Sequence, residues 1–338
     1  MKNEKNYYDS IETKNKGCSR HLLVTAPTHF LEGIREEIEK NYKVTYAYGA
    51  SYSQLKEVVS EVDGWIVDPG ANYRIDFNLL SMSKKLKILV SPSTGSDHVD
   101  LNYLNNESIT FDCLKGKEHI IKEIHASAEF SFALLIAMIR KLVPAAKYAS
   151  DGFWREKEEE LRGIELNSKT IGIIGYGRIG KKMARYCNAF GANILIFDPF
   201  QEKDQDWITQ VDTMDELLEV SDINTVHVHL DDSTRNLIGE REFSLMKKQS
   251  YFLNTARGGV VDEDALIAAL ENGTLIAAAV DVISGEQENN IDSHPLVKYS
   301  KQSDRLLLTP HIAGATVDSQ YKAFNFALKR VNEFFLAQ

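Results

Sequence analysis

Three residues that could transfer a proton or bind an anion follow separate short apolar segments in the second half of the chain. Arg257 lies in NTARGGVVDEDAL, Glu286 in DVISGEQ and His311 in TPHIAGAT, each just beyond a predicted parallel strand. Arginine pairs with carboxylates through its planar guanidinium, and histidine exchanges a proton near neutral pH. A neighbouring carboxylate orients an imidazole and favours its protonated form. Together the three residue types suit hydride transfer to a 2-oxo acid, with His311 as acid and base.

Each of the three residues also has a purely structural explanation. Arg257 can cap a helix, Glu286 can lie on a solvated loop, and His311 can be a hydrogen-bonded buried histidine. The chemical interpretation is favoured because all three fall at the ends of predicted strands, the edge at which open α/β sheets bind their ligands.

A glycine-rich turn, GYGRIG, lies directly after the apolar segment IGII and directly before a predicted helix, as a dinucleotide-binding turn must. Gly175 is expected to make the tight turn, Gly177 to let the backbone approach a pyrophosphate, and Gly180 to allow close packing of helix on strand. Asp198 ends the next predicted strand, where its carboxylate can accept hydrogen bonds from ribose hydroxyls. A 2′-phosphate would be repelled there and no arginine follows, so the pattern predicts NAD rather than NADP.

Alternating strand-like and helix-like segments must position these residues. Residues 20–118 contain the predicted strands HLLVTAP, KVTYAY, WIVDPG, LKILVSPSTG and ESITFDC and form a small α/β unit, with no element expected before Arg20. The stretch HASAEFSFALLIAMIRKLVPAAKYA predicts one long, largely buried helix, and beyond Gly152 the alternation begins again. Such alternation predicts an α/β fold with parallel strands between two helix layers, a doubly wound sheet.

Composition and charge exclude several classes of protein. The chain has 338 residues, 43% of them hydrophobic and 26% charged, as in ordinary globular proteins. The 39 lysines and arginines against 49 acidic residues give a net charge of −10, which argues against nucleic acid or an anionic membrane as the partner. The cysteines Cys18, Cys113 and Cys187 fit neither a disulfide framework nor a metal site. Without a predicted signal peptide or membrane span, a cytoplasmic location is expected.

The chain resembles the D-isomer-specific 2-hydroxyacid dehydrogenase family, the group that includes phosphoglycerate, glycerate and D-lactate dehydrogenases. The resemblance covers residues 20–337 and rests on six motifs in the family's order: ASAEFSFALLIAMIR, IGIIGYGRIG, HLDDSTRNLIG, FLNTARGGVVDEDAL, AAVDVISGE and LTPHIAGAT. It implies an NAD-dependent dehydrogenase that interconverts a D-2-hydroxy acid and its 2-oxo acid, with Arg257, Glu286 and His311 as catalytic residues.

The same resemblance implies further binding residues and no metal. Those for the cofactor are, in chain order, Thr94, Gly175, Gly177, Arg178, Ile179, Gly180, Asp198, Thr255, Asp281 and Gly314. Among them, Asp281 is expected to bind the carboxamide of the nicotinamide. The substrate carboxylate would be held by Arg257 and by backbone N–H groups near Asn72 and Gly95.

The family's layout implies two doubly wound, Rossmann-like domains with parallel sheets, one of them discontinuous. Residues 1–118 and the C-terminal helix at 313–338 would form the substrate domain, and residues 119–312 the inserted NAD-binding domain. A hinge would close the domains over the substrate. Family members pair through the cofactor domain, so a homodimer is expected.

Two other functions stay open at this point. The protein can be an NAD-sensing binding module, as the family's transcriptional corepressors are, or a formate or phosphite dehydrogenase, since these share the architecture. Glu286 at the family's acid position favours a hydroxy acid over formate. The segment VDPGANYRID lacks the arginine often found near its start in phosphoglycerate-type members, which argues against a phosphorylated substrate.

Overall fold

The computed structural model of the chain describes residues 11–287 and 290–337, which divide into two compact units. Unit 1 contains the described residues of 11–124 and 315–337, and unit 2 those of 125–314. Each unit is built around its own β-sheet, as predicted for a fold with two parallel-sheet α/β domains. Among the described residues, no helix combines the length and the apolar character needed to cross a membrane.

The sheet of unit 1 has the strand order β1-β3-β2-β4-β5-β6 in the part of the chain that the structure describes. The strands are β1 (Glu12–Lys14), β2 (His21–Val24), β3 (Lys43–Tyr46), β4 (Gly64–Ile66), β5 (Ile88–Ser91) and β6 (Thr110–Cys113). All pairs are parallel except β1 with β3. From β2 the chain moves outward to β3 and then returns to β4 on the other side of β2. The point where the strand order reverses therefore lies between β2 and β4.

Short apolar runs form these strands because both faces of the sheet are covered. Along β2, Leu22 and Val24 enter one apolar core while Leu23 enters the other, as the two-residue period of a strand requires. The connecting helices are α1 (Ile34–Asn41), α2 (Tyr52–Val58), α3 (Phe77–Leu80), α4 (Leu101–Asn106) and α5 (Glu118–Ile121).

The sheet of unit 2 is wholly parallel in the described part of the chain, with the order β13-β12-β11-β10-β7-β8-β9. Its strands are β7 (Thr170–Ile174), β8 (Asn193–Phe197), β9 (Ile208–Gln210), β10 (Ile223–Val226), β11 (Ser250–Asn254), β12 (Leu275–Val280) and β13 (Leu306–Leu308). Its helices are α6 (Ala126–Ile139), α7 (Leu142–Ser150), α8 (Glu158–Leu161), α9 (Arg178–Ala189), α10 (Met214–Val220), α11 (Glu240–Leu245), α12 (Glu263–Glu271) and α13 (Pro295–Gln302). The strand order reverses between β7 and β10.

The long helix predicted at the start of unit 2 is in fact two helices. Lys141 adopts a left-handed conformation, with φ 49° and ψ 39°, and separates α6 from α7. Pro144 falls in the first turn of α7, where its missing N–H is not needed. Although α6 is largely buried, no residue of α7 is buried, so the prediction of one buried helix was wrong for its second half.

Both ends of the described chain contribute to unit 1. The strand β1 lies in the segment where no element was expected, and it pairs antiparallel with β3. The last helix, α14 (Val317–Leu336), packs an apolar face that includes Phe324, Leu328 and Val331 into the same core as β2. Arg330 on this helix donates from Nε to Asp112 Oδ2 of β6 at 2.6 Å. The C-terminal helix thus completes a unit whose strands all precede residue 124.

Candidate active site

The glycine-rich turn joins β7 to α9 at the carboxyl edge of the unit 2 sheet. Gly175 has a φ of +91°, and a Cβ atom on Gly180 would lie 2.1 Å from the Gly175 carbonyl oxygen. These two positions therefore require glycine. A Cβ atom on Gly177 would meet nothing within 4 Å, so space lies beside the N-terminus of α9. Arg178 and Ile179, both partly buried, form the first turn of that helix, where backbone N–H groups attract anions.

Asp198 follows β8, and its carboxylate ties the glycine turn to the next loop. Oδ2 accepts a hydrogen bond from the Tyr176 N–H at 2.7 Å, and Oδ1 accepts from the N–H groups of Phe200 and Gln201 at 2.8 and 3.0 Å. A carboxylate has about four acceptor positions, so one is left for a ribose hydroxyl. The Tyr176 hydroxyl adds a second link by donating to Asp204 at 2.6 Å.

Arg257 lies on the turn that follows β11. The buried Asn254 side chain shapes this turn, since its Oδ1 accepts from the Ala256 N–H and its Nδ2 donates to the Arg257 carbonyl, both at 2.9 Å. The next residue, Gly258, packs against the loop after β12 so closely that a Cβ atom would lie 2.0 Å from the Ile283 carbonyl carbon. The turns that carry Arg257 and Glu286 are therefore in direct backbone contact.

Glu286 and His311 follow β12 and β13, and their side chains meet. His311 Nδ1 lies 2.7 Å from Glu286 Oε1, with the two side chains 41% and 28% exposed. Because an ionised carboxylate can only accept, the hydrogen of this bond lies on Nδ1. His311 Nε2 is then the nitrogen that can give or take a proton.

Asp281, directly after β12, holds the turn that carries His311. Its carboxylate accepts from the Thr309 hydroxyl at 2.6 Å and from the N–H groups of Ile312 and Ala313 at 3.1 and 2.8 Å. Its carbonyl accepts from the His311 N–H at 2.7 Å. These bonds hold His311 in a left-handed conformation with φ 54°. Asp281 is 1% exposed, and one acceptor position of its carboxylate stays open.

Thr255 is positioned by a hydroxyl chain that begins on α6. Ser131 Oγ donates to the Ser127 carbonyl at 2.6 Å, so its only hydrogen is used and the Thr255 hydroxyl donates to it at 2.6 Å. Gly314 lies near the same helix, where a Cβ atom would be 3.7 Å from Ser127 Oγ. The first turns of α6 thus border the end of β11.

The predicted binding residues of unit 1 lie on two loops at the carboxyl edge of its sheet. Asn72 is exposed in the loop after β4, and Thr94 and Gly95 are partly buried in the loop after β5. The Gly95 carbonyl accepts from Ser93 Oγ at 2.8 Å. The structure therefore groups these three residues in unit 1 and all the other predicted site residues in unit 2.

An acidic side chain, Asp68, lies where the strand order of unit 1 reverses. Its N–H donates to Thr25 Oγ1 at 3.1 Å, which joins the ends of β2 and β4, and its Oδ1 accepts from the Gly70 N–H at 2.9 Å. Burial raises the pKa of Asp68 to about 6. Burial and then the charge of Asp68 raise the pKa of the nearby Tyr73 hydroxyl. The reversal point of the unit 1 sheet thus holds an acid that is only partly hydrated.

A neutral histidine lies at the corresponding reversal point of unit 2. His227 follows β10, and its Nε2 lies 2.9 Å from Thr225 Oγ1, whereas its buried Nδ1 has no hydrogen-bond partner. Burial lowers the pKa of His227 to about 3. The side chain is therefore uncharged at neutral pH.

The residues at the edge of unit 2 fit NAD by their chemistry. The space at Gly177 beside the α9 N-terminus suits a pyrophosphate, and the open acceptor position of Asp198 suits a ribose hydroxyl. On the other side of β10, the Thr255 hydroxyl and the open acceptor position of Asp281 suit an amide. The donor and acceptor types thus follow the order of groups along the dinucleotide.

Two residues that shape the site, Ser131 and Asn254, are missing from the sequence-based prediction. An asparagine at a strand end before a turn is a usable signal, because its side chain bonds readily to nearby backbone groups. The contact of Ser131 with Thr255 joins residues 124 positions apart, and no local pattern indicates it.

Comparison with known proteins identifies the family. The catalytic-domain profile of the D-isomer specific 2-hydroxyacid dehydrogenases matches residues 23–115, and the profile of their NAD binding domain matches residues 132–313. The second match spans the glycine turn and the ends of β11, β12 and β13, so the cofactor is NAD.

Relatives of this chain are named for different substrates. The chain is 35% identical over 263 residues to a glyoxylate reductase of Thermofilum pendens, which covers 76% of this chain and 74% of that protein. It is 36% identical over 297 residues to a D-3-phosphoglycerate dehydrogenase of Archaeoglobus fulgidus, covering 86% of this chain. It spans only 53% of that protein, about half of its length.

A solved structure agrees with these relatives. The D-lactate dehydrogenase of Aquifex aeolicus, complexed with NAD and lactic acid, superposes with a TM-score of 0.76 at 28% identity, over 94% of this chain and 96% of that one. The two profile matches together cover more than half of the chain. The chain therefore belongs to the D-isomer specific 2-hydroxyacid dehydrogenase family and is an NAD-dependent oxidoreductase that interconverts a D-2-hydroxy acid and its 2-oxo acid.

Proposed function

We propose that Arg257, Glu286 and His311 carry out this reaction on a small, unphosphorylated 2-oxo acid. The observation that supports these roles is the 2.7 Å contact of His311 Nδ1 with Glu286 Oε1 at the same sheet edge as the glycine turn. A titratable side chain, held in one orientation by a carboxylate beside a dinucleotide-binding turn, suits acid and base catalysis of hydride transfer.

The roles follow from the chemistry of the three side chains. When bound, NADH would supply the hydride for the carbonyl carbon of the 2-oxo acid. His311 donates its Nε2 proton to the carbonyl oxygen, and Glu286 stabilises the imidazolium through Nδ1–H. Arg257 pairs with the substrate carboxylate and polarises the carbonyl group. In the reverse direction, neutral His311 removes the proton of the hydroxyl group.

The binding roles implied by the family complete this proposal. Asp198 accepts from the adenosine ribose, and the first turn of α9 receives the pyrophosphate. Asp281 accepts from the nicotinamide carboxamide, beside Thr255 and Gly314. By the same resemblance, Thr94 is proposed as a cofactor-binding residue, and backbone N–H groups near Asn72 and Gly95 are proposed to bind the substrate carboxylate.

The substrate class is inferred from Asp68. Its carboxylate occupies the reversal point of the unit 1 sheet, between the Thr25 and Gly70 contacts described above. In a partly dehydrated setting, like charges within several ångströms repel strongly. The segment VDPGANYRID also lacks an arginine near its start that could pair with a phosphate. We therefore favour a 2-oxo acid that ends in hydrogen or a hydroxyl group over one whose far end carries a phosphate or a second carboxylate. Glyoxylate and hydroxypyruvate, named for relatives of this chain, have this chemistry.

We also infer a cytoplasmic homodimer. Helix α7 and the segment after it expose Leu142, Val143 and Trp154, the last of these 75% exposed. Exposed apolar side chains of this size are typical of an interface, and a second copy of the chain would cover them. Val143→Glu is expected to convert the dimer to a monomer in sedimentation velocity, and a wild-type chain that sediments as a monomer would contradict the inference. The cysteines Cys18, Cys113 and Cys187 are unpaired, which suits a reducing compartment.

The first experiment measures NADH oxidation with a panel of 2-oxo acids: glyoxylate, pyruvate, hydroxypyruvate and 3-phosphohydroxypyruvate. Wild type and His311→Ala are compared, and NADH binding is followed separately by fluorescence. Loss of turnover in His311→Ala with retained NADH binding supports the assigned role. Equal turnover by both proteins contradicts it.

The second experiment tests the substrate class with Asp68→Asn, which keeps the size and removes the charge. The ratio of kcat/KM for 3-phosphohydroxypyruvate to that for hydroxypyruvate is expected to rise about tenfold. Asp100→Asn, which changes a helix cap in the same unit, is the matched control and should leave the ratio unchanged. An unchanged ratio in Asp68→Asn would show that this carboxylate does not select the substrate.

A further inference from the structure

We propose that Glu263 and His294 are a positioning pair that holds the loop carrying Glu286 at the distance His311 requires. The inference rests on the proposed role of Glu286. Glu263 is the first residue of α12, and His294 lies directly before α13. Neither residue belongs to the set of site residues predicted from the sequence.

The Glu263 carboxylate contacts one residue before Glu286 and one residue after it in the chain. Its Oε1 accepts from the Ser284 N–H at 2.7 Å, two positions before Glu286. Its Oε2 lies 3.2 Å from His294 Nε2, eight positions after Glu286. The two side chains are only 13% and 14% exposed, so water competes little for these bonds. One carboxylate thus spans the base of the loop.

Each ring nitrogen of His294 has its own partner. Its Nδ1 accepts from the Leu296 N–H at 3.3 Å and caps the N-terminus of α13. A nitrogen that accepts carries no hydrogen, so Nε2 bears it and donates to Glu263. Adding a proton to Nδ1 would remove the cap. The ring of His294 thus joins the start of α13, through Nδ1, to Glu263, through Nε2.

A backbone contact closes the other side of the loop base. A Cβ atom on Gly258 would lie 2.0 Å from the Ile283 carbonyl carbon and 2.2 Å from the Ser284 nitrogen. The backbone before Glu286 is thus enclosed between Gly258 and the Glu263 carboxylate. Arg257 adjoins Gly258, so the same few residues fix the guanidinium turn and the carboxylate loop relative to each other.

Burying the Glu263 carboxyl group has a free-energy cost. Burial raises the pKa of the Glu263 carboxyl group, which means that the ionised form is disfavoured there. A solvated acid in the first turn of α12 would interact with the helix dipole without this cost, as Asp264 can. What the buried position adds is the simultaneous contact with Ser284 and His294.

The test compares variants that remove the contacts of Glu263 with Ser284 or His294 and a variant that removes only a helix cap. Glu263→Ala removes both contacts, and His294→Asn keeps an N-cap for α13 but cannot reach Glu263. Asp262→Ala is the control, because Asp262 caps the same helix by accepting from the Ala265 N–H at 3.1 Å and contacts neither end of the loop. For each variant, kcat, KM for both substrates, the pH dependence of kcat and Tm are measured.

Glu263→Ala and His294→Asn are expected to lower kcat by roughly ten- to 100-fold, as small displacements of catalytic groups do, with KM for NADH unchanged. In both variants, the pH dependence of kcat should become more like that of Glu286→Gln. The double variant should be no worse than the more damaged single variant, because both changes break one unit. Asp262→Ala should lower Tm and leave kcat and its pH dependence as in wild type.

Two results separate this inference from the function on which it rests. If Glu286→Gln itself keeps wild-type kcat, the proposed role of Glu286 fails. If Glu286→Gln loses activity while folded His294→Asn retains both kcat and pH dependence, the positioning role alone is overturned. Should Glu263→Ala fail to fold, the milder His294→Asn still decides the question.

Discussion

Glu286 Oε1 and His311 Nδ1 lie 2.7 Å apart although the two residues follow different strands and are 25 positions apart in the chain. The contact assigns the hydrogen to Nδ1 and leaves Nε2 for proton exchange. His311 is held on its other side by Asp281, whose carbonyl accepts the His311 N–H at 2.7 Å. The Glu286 carboxylate thus orients the imidazole, and the Asp281 backbone carbonyl holds the backbone of His311.

Glu286→Gln is expected to lower kcat for 2-oxo acid reduction by about 100-fold. Glutamine still accepts from Nδ1–H but carries no charge to favour the protonated imidazole, so the alkaline limit of reduction should move to lower pH. Steady-state kcat measured from about pH 5 to about pH 9 checks this. An alkaline limit that stays in place would contradict the electrostatic role of Glu286.

Arg257→Lys is expected to raise KM for the 2-oxo acid and lower kcat/KM by about 100-fold, because lysine lacks the planar fork that matches a carboxylate. Binding of NADH, followed by fluorescence, should not change. Arg235→Lys, an exposed substitution near the same turn, serves as the matched control. Equal losses in both variants would indicate that any arginine-to-lysine change near this turn reduces activity, and would contradict a specific role for Arg257.

Asp281→Asn is expected to destabilise unit 2 and to lower kcat together. The new NH₂ group faces N–H groups of Ile312 or Ala313, or the Thr309 hydroxyl, so at least one hydrogen bond to a buried group is lost. Such a loss costs about 1 to 3 kcal/mol of the free energy of unfolding, measured in urea. Thr309→Val removes one of these bonds and should have a smaller effect on both quantities. A stable Asp281→Asn protein with wild-type kcat would show that the turn holds His311 without this carboxylate.

Asp198→Ala is expected to reduce the preference for NADH over NADPH by at least about tenfold, because the charge that repels a 2′-phosphate is removed. The ratio of kcat/KM values for the two cofactors measures this. Asp206→Ala removes a charge from the same exposed loop without touching the glycine turn and should leave the ratio unchanged. A shift of equal size in Asp206→Ala would mean that overall loop charge, and not Asp198, selects the cofactor.

His227 is expected to make the protein sensitive to acid. Burial lowers its pKa to about 3 in the folded chain, whereas in the unfolded chain the pKa is the ordinary histidine value of 6.5. The unfolded state therefore holds more protons between these values, and stability is lost as pH falls below about 6.5. At pH 5 the loss is about 2 kcal/mol from this group.

Urea unfolding of His227→Gln at pH 8 and pH 5 tests this assignment. Glutamine does not titrate, so the fall in unfolding free energy between the two pH values should shrink by about 2 kcal/mol relative to wild type. His229→Gln, two positions further along the chain, is the control and should leave that fall unchanged. An unchanged pH dependence in His227→Gln would mean that the acid sensitivity comes from other groups.

Periodicity and turn residues were sufficient to predict most of the sheet strands. Buried parallel strands have continuous apolar runs, and these runs identify β2, β4, β5, β7 and β8 by themselves. The strands β1 and β9 were not predicted, because their residues, ETK and ITQ, form no apolar run and are recognisable only by their pairing with a neighbouring strand. The division of one apolar stretch into α6 and α7 depends on the left-handed Lys141, which no propensity indicates.

The sequence by itself determined which chemistry this protein can hold and at which strand ends. The glycine turn, Asp198, Arg257, Glu286 and His311 are readable because a parallel sheet brings the carboxyl ends of its strands to one edge, whatever the loop lengths. Only the tertiary structure decided which groups touch: Glu286 with His311, Ser131 with Thr255, and Glu263 with both Ser284 and His294. Such contacts join residues 21 to 124 positions apart, and hydrogen bonding is specific to a few tenths of an ångström. Residue types and spacing do not predict which groups come within hydrogen-bond distance, because the packing of whole helices and strands sets those distances.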